Sequence, residues 1–417
     1  MRRIDELTPD ERQAILDRGT AVSEVRADVR DVLDRVRTDG DDGLRRLTER
    51  FDGVAVDAIA IPEERIETAR DEVDDDVGAA IADAAARIER FHERQRRDDW
   101  REERDGVEAG RRFVPLDGVG VYVPGGGAAY PSTALMTAIP PRVAGVDRVV
   151  AATPPPVTDA TLAACAEAGV DAVYRVGGAQ AIAGLAYGTE TMDAVDAIVG
   201  PGNVYVTAAK RLVRDDVDVR IEFPAGPSEL AVIADDAADP GDVAADMLAQ
   251  CEHDADAQAL LATPSDALAE AVEEELASQL RQMQRSAIAA DARRHVLVGD
   301  LETCVDLVND HAPEHLAIVT DDDDAVLDGV RHAGSIFLGG DTPVAAGDYA
   351  TGTNHVLPTA GGARRYGGLS VDDFVRGQTV QRLDDEGLET IGDTVETLAD
   401  AEGLTKHADT VRRRRED

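Results

Sequence analysis

Apolar residues recur at helical spacing through the first hundred positions of the chain. Val25, Val29, Val32, Leu33 and Val36 share one helix face, and the run halts at Gly40. Leu44, Leu47 and Phe51 carry the same pattern on to Gly53. Thr8-Pro9-Asp10-Glu11 predicts an earlier helix start, with Thr8 as N-cap and Pro9 at the first helical position. After Pro62 one long helix is expected through Ile66, Val73, Ile81, Ile88 and Phe91. This stretch carries no motif with evident chemistry.

From Gly118 the texture changes to short apolar runs alternating with helical patterns. Strands are expected at 119–123, 148–152, 172–176, 194–199, 230–234, 259–262, 295–298, 316–320 and 335–338, with helices such as 158–168 and 240–250 between them. That alternation is the signature of an α/β protein with parallel sheets, and its length predicts two such units. From about Leu369 the chain reads as helical again, with Leu388, Ile391, Val395 and Leu398 on one face.

Composition narrows the picture. The chain has 417 residues, 43% apolar but only 3% aromatic, so its cores must be built from Ala, Val, Leu and Ile. It carries 84 Asp and Glu against 43 Lys and Arg, a net charge of −41, and Lys210 and Lys406 are its only lysines. Such a surface repels polyphosphate, which argues against a nucleic-acid partner. The acids are spread through helices and loops and do not form one tail, so the reading is a folded chain adapted to a high-salt cytoplasm, where screening removes self-repulsion. Cys165, Cys251 and Cys304 are odd in number with no CxxC spacing, which fits a reducing compartment. No run approaches 18 apolar residues and the start lacks an apolar signal core, so neither membrane spanning nor signal-led export is expected.

Three glycine-rich turns each follow an expected strand: Pro124-Gly125-Gly126-Gly127, Gly177-Gly178-Ala179-Gln180 and Gly200-Pro201-Gly202-Asn203. Glycine lets backbone N–H groups approach a ligand, and the helix that follows offers its positive end to phosphate. None matches GxGxxG, but with Tyr122, Gln180 and Asn203 on or beside them they point to a nucleotide site at the strand ends. His311-Ala312-Pro313-Glu314-His315-Leu316 sets a carboxylate beside an imidazole in a turn leading into a strand. Glutamate can activate water while histidine moves a proton at neutral pH, although a Glu-His pair after a helix end is also a common surface feature. Gln250 and His253 stand three apart at the end of an expected helix, as a metal or a polar substrate requires; two solvated side chains have the same spacing. Cys251 between them could be a nucleophile or an inert core thiol. Asp348 and His355 lie in an expected loop of small residues, and Glu402 and His407 in the helical tail. The Arg412–Arg415 run is expected to complement the dipole of the last helix.

Together these blocks resemble the histidinol dehydrogenase family. The resemblance is carried by VYVPGGG from Val121, VGGAQAIAGLAYGTE from Val176, GPGN from Gly200, PAGPSE from Pro224, QCEHD from Gln250, HAPEHL from His311, AGDYATGTNHVLP from Ala346 and the tail from Glu402 to His407. It implies oxidation of L-histidinol through the aldehyde to L-histidine, with two NAD and one Zn2+ per subunit. Gln250, His253, Asp348 and His407 would hold the zinc. Ser228, His355 and Glu402 would line the substrate pocket together with those ligands and His315. Tyr122, Gln180 and Asn203 would contact NAD. His315 would take the alcohol proton and Glu314 would activate water for the aldehyde step.

The resemblance further implies two incomplete Rossmann-like domains with helical extensions at both ends. These are an N-terminal extension (1–20), a discontinuous first domain (21–117 and 229–368), a second domain (118–228) and a C-terminal segment (369–417). That segment would reach across a homodimer to complete the partner's site. Rival readings are another zinc- and NAD-dependent alcohol or aldehyde dehydrogenase on this scaffold, or a non-catalytic metal-dependent binder of an imidazole or amino acid.

Overall fold

The computed structural model describes residues 2–16, 21–125, 129–223, 226–252, 255–283 and 286–416. Its first elements are β1 (Arg2–Arg3), α1 (Pro9–Leu16), α2 (Arg26–Asp52), α3 (Glu63–Glu72), α4 (Asp75–Glu93), β2 (Trp100–Arg104) and β3 (Val107–Pro115). Next come β4 (Gly118–Tyr122), α5 (Pro131–Ala144), β5 (Arg148–Thr153), α6 (Asp159–Glu167), β6 (Ala172–Arg175), α7 (Gly178–Tyr187), β7 (Ala197–Val199), α8 (Val204–Asp216) and β8 (Arg220–Ile221). A second run holds β9 (Glu229–Ala234), α9 (Pro240–Cys251), β10 (Gln258–Thr263), α10 (Asp266–Leu280), α11 (Ser286–Asp291), β11 (Arg293–Val298) and α12 (Leu301–His311). It continues with β12 (His315–Val319), α13 (Asp323–Leu327), β13 (Ser335–Leu338) and α14 (Val344–Tyr349). β14 (Val375–Leu383), α15 (Asp385–Ala401) and α16 (Thr405–Arg415) complete the described elements.

The chain divides into two compact units, residues 1–95 with 117–374 and residues 96–116 with 375–417. The first unit holds two parallel sheets, ordered β6-β5-β4-β7-β8 and β1-β11-β10-β9-β12-β13. Each winds outward from a central strand, β4 or β9, first to one side and then to the other. That leaves a topological switch point between β4 and β7, and a second between β9 and β12. The strands are buried on both faces, as parallel strands under helices must be. This is the α/β class that the alternating pattern predicts.

Packing groups the helices differently from the expected domain division. Val29, Leu33, Leu44 and Leu47 of α2 join one core with Ile182 and Leu185 of α7 and Leu212 of α8, on the five-stranded sheet. Residues 21–117 were expected in one domain with residues 229–368. The six-stranded sheet is covered instead by α9, α10 and α11 on one face and by α1 and α12 on the other. Ala, Val, Leu and Ile fill most of these cores, as the scarcity of aromatics requires.

Three local departures stand out. The long helix expected after Pro62 breaks at Val73, which is extended at ψ 153°, and a new helix starts with Asp75 and Asp76 in its first turn, where carboxylates favour the positive helix end. Asp348 stands at the end of the short helix α14, where a loop was expected. The second unit contains an antiparallel sheet, β14-β3-β2, where the tail was expected to be helical throughout. Within this unit Arg412 and Arg415 of α16 reach Glu389, Asp393, Glu396 and Asp400 of α15, so they form ion pairs between helices as well as sitting at a helix end. Among the described residues no helix is long and apolar enough to cross a membrane.

Candidate active site

The expected cofactor residues come together at the switch point of the five-stranded sheet. Tyr122 ends β4, and its hydroxyl accepts a hydrogen bond from the Gly178 N–H at 3.1 Å, at the mouth of α7. Gln180, in the first turn of α7, is buried, and its amide nitrogen Nε2 has no partner among the described residues. Asn203 caps α8, its Oδ1 accepting from the N–H groups of Tyr205 and Val206. All three line one cavity of about 650 Å³, together with Arg35, Arg50 and Asp52 from α2. Gly126 and Gly127 of the first turn lie outside the described residues.

The third turn has a support that sequence reasoning missed. Gly200 adopts φ +116°, and a Cβ there would fall 2.1 Å from the Tyr122 carbonyl oxygen, so only glycine fits. Lys210, buried in α8, donates to the Gly200 carbonyl and to Glu222 Oε1 at 2.5 Å each. Glu222 Oε1 in turn accepts from the Gly200 N–H at 3.2 Å. No signal in the sequence marks it, since the other lysine of the chain, Lys406, is exposed in α16.

The second constellation stands at the amino ends of β9 and β12, opposite in strand direction to the first. Glu314 and His315 are both buried, at 6% and 4% exposure. The Glu229 N–H donates to Glu314 Oε2 at 2.9 Å, and the Ser228 hydroxyl also hydrogen-bonds the Glu314 carboxylate. His315 Nδ1 lies 3.2 Å from the Glu229 carbonyl oxygen, which can only accept, so Nδ1 carries the proton. That leaves Nε2, 3.7 Å from Asp348 Oδ1. Burial pushes the Glu314 carboxyl above the usual carboxylate range, against the pull of His315 and the Glu229 N–H. For His315 burial acts downward, but the Glu314 and Asp348 carboxylates outweigh it and hold the imidazole at about 9.

His355 ties this cluster to the other sheet. Its Nδ1 donates to the Asp348 backbone carbonyl at 3.2 Å, and its Nε2 pairs with the Thr133 hydroxyl at 3.1 Å, in the first turn of α5. Asn354 donates to the Met136 carbonyl at 2.6 Å, one turn further along α5. The amino edge of one sheet is thereby fastened to the carboxyl edge of the other.

Gln250 sits in the last turn of α9 with 4% exposure, and its Nε2 has no partner among the described residues. Asp246, one turn earlier, accepts from the Val344 N–H, which sets α9 against α14 and its Asp348. The helix ends at Cys251, and His253 lies outside the described residues. Cys251 is fully buried and burial pushes its thiol up, so it has no thiolate character. Glu402 caps the end of α15 and His407 lies in the first turn of α16, both in the second unit. Among the described residues no group of three or more His, Cys, Asp or Glu is placed to hold a metal ion.

Comparison with known proteins resolves the class. The family model described as histidinol dehydrogenase matches residues 16–415. The chain is 54% identical to the histidinol dehydrogenase of Haloarcula marismortui over 99% of both chains. It is 50% identical to that of Methanothermobacter thermautotrophicus over 100% of this chain and 98% of the relative. The crystal structure of histidinol dehydrogenase from Elizabethkingia anophelis superposes with a TM-score of 0.93 at 37% identity, covering 98% of this chain and 96% of the other. The chain belongs to the histidinol dehydrogenase family and is an oxidoreductase that oxidises histidinol in histidine biosynthesis.

Proposed function

We propose that the enzyme takes L-histidinol to L-histidine through L-histidinaldehyde, passing two hydrides to two NAD molecules at a site holding one zinc ion. The observation that carries this reading is the buried Glu314–His315 pair with the half-buried Asp348 beside it. Alcohol oxidation needs a base at the hydroxyl, and aldehyde oxidation needs water delivered to the same carbon. Nε2 of His315, the nitrogen not turned to the Glu229 carbonyl, takes the hydroxyl proton in the first half-reaction once neutralisation of Asp348 lets the imidazole give up its second proton. The Glu314 carboxylate, held by the Glu229 N–H and the Ser228 hydroxyl, takes the proton of the attacking water in the second. Burial keeps bulk water from competing at either atom.

Gln250 and Asp348 offer a carboxamide and a carboxylate oxygen on adjacent helices, a donor set that fits a metal with N and O ligands. His253 and His407 complete the set by resemblance. When bound, zinc would supply a positive charge that holds the substrate's amine and imidazole and offsets the Asp348 charge beside His315. Ser228, His355 and Glu402 complete the substrate pocket. NAD, the hydride acceptor, lies along Tyr122, Gln180 and Asn203. The switch-point location and the size of the cavity support this placement.

The assembly in this reading is a homodimer in which Glu402 and His407 come from the partner, working in a high-salt cytoplasm to which the net charge of −41 is suited. The test is stoichiometric. Supplied with histidinol, NAD and zinc in molar KCl, the enzyme yields two NADH per histidine. One NADH with aldehyde as the end product reduces the activity to alcohol oxidation and contradicts the reading.

A further inference from the structure

We propose that Asp52 recognises the ribose hydroxyls of NAD and turns away the 2′-phosphorylated cofactor; this rests on the reading that the cavity beside Tyr122 takes NAD. Asp52 is the last residue of α2, and it stands on the wall of that cavity. Its Oδ2 is buried and has no hydrogen-bond partner among the described residues. Its charge acts on the Tyr122 hydroxyl, so the carboxylate lies near the cofactor residues. A buried acceptor is costly to leave bare, and proteins do so where a ligand completes it.

The same wall holds a second uncommitted atom, the buried donor Gln180 Nε2. A bare acceptor and a bare donor together describe a ligand that offers both hydroxyl protons and oxygen lone pairs. A vicinal diol on a ribose does this, and a carboxylate accepting from it is the usual means of telling NAD from NADP. A phosphate in that place meets the Asp52 charge and also the negative end of α2. Asp28 and Asp31 of the same helix add to that field from the same cavity. Arg35 and Arg50 line it too, and an arrangement in which they held a 2′-phosphate would reverse the preference.

Equilibrium dialysis of the full-length chain against NAD and NADP in molar KCl, with thermal midpoints, tests this on wild type, Asp52→Asn and Gln180→Ala. Wild type should favour NAD. Asp52→Asn should weaken NAD about ten- to a hundredfold and narrow the NAD:NADP ratio by a similar factor. Its ligand-free thermal midpoint should hold or rise, because a bare buried charge has gone. Unchanged NAD binding in Asp52→Asn, with binding weakened in Gln180→Ala, would leave the cavity as the cofactor site and overturn the role of Asp52. NAD binding untouched by either substitution would overturn the reading of the cavity itself. A lowered midpoint with an unaltered NAD:NADP ratio would make Asp52 merely structural, and a wild type that binds NADP as well as NAD would also end the proposal.

Discussion

Glu314 and His315 are consecutive, yet Oε2 of the first lies 3.5 Å from Nδ1 of the second. Successive residues of a regular strand point to opposite faces. Here β12 begins only at His315, and Ala312 turns the chain just before it at φ 50° and ψ 62°. An L-residue in that left-handed region costs about 1 kcal/mol. The turn is held where the Gly334 N–H meets the Pro313 carbonyl and the Ser335 N–H meets that of Glu314. The strained turn is thus what brings these two neighbouring side chains together.

Lys210→Met should destabilise the fold by about 3–5 kcal/mol, because it leaves the buried Glu222 carboxylate without its counter-charge. Adding Glu222→Gln should recover much of that loss. Urea unfolding in constant KCl measures both. Equal effects of the single and double substitutions would mean that the two side chains are not coupled.

Acid should unfold the protein partly through His295. Burial, with Arg2 and Arg293 nearby, lowers its pKa to about 4. The unfolded chain binds a proton there near the ordinary value of 6.5, so the stability present above pH 6.5 is lost as pH falls through 4. The loss is at most about 3 kcal/mol, and less after screening. His295→Gln should flatten the stability profile between those limits. An unchanged profile would assign the acid sensitivity to other groups.

Cys251→Ala should leave turnover within about twofold of wild type, since the proposed chemistry uses no thiol and a small buried deletion costs about 1 kcal/mol in stability. A loss of several orders of magnitude in steady-state rate would restore a covalent mechanism.

Salt should stabilise the chain. With a net charge of −41, self-repulsion is screened as the Debye length contracts from about 10 Å at 0.1 M to about 3 Å at 1 M. The thermal midpoint should therefore climb with KCl across that range. A flat response would remove the argument for a high-salt setting.

The α/β region was legible because buried parallel strands read as unbroken apolar runs, and all nine expected strands from 118 to 338 are present within a few residues. β2 and β14 were not, because Trp100-Arg-Glu-Glu-Arg is exposed throughout and Val375–Leu383 nearly so, and neither shows an alternation of apolar and polar positions. Glu314, His315 and the glycine turns could be picked out as candidates from residue type and spacing. The Lys210–Glu222 clamp and the bare Asp52 oxygen could not, since both depend on which side chains folding leaves buried and which of those it leaves unpaired.

The division of labour between Glu314 and His315 is tested most directly by supplying Glu314→Gln with histidinol and NAD and counting NADH against histidinol consumed. The account predicts one NADH per histidinol, accumulation of histidinaldehyde, and a histidinaldehyde oxidation slowed by about a hundredfold or more. Two NADH per histidinol, with both half-reactions slowed equally, would contradict it.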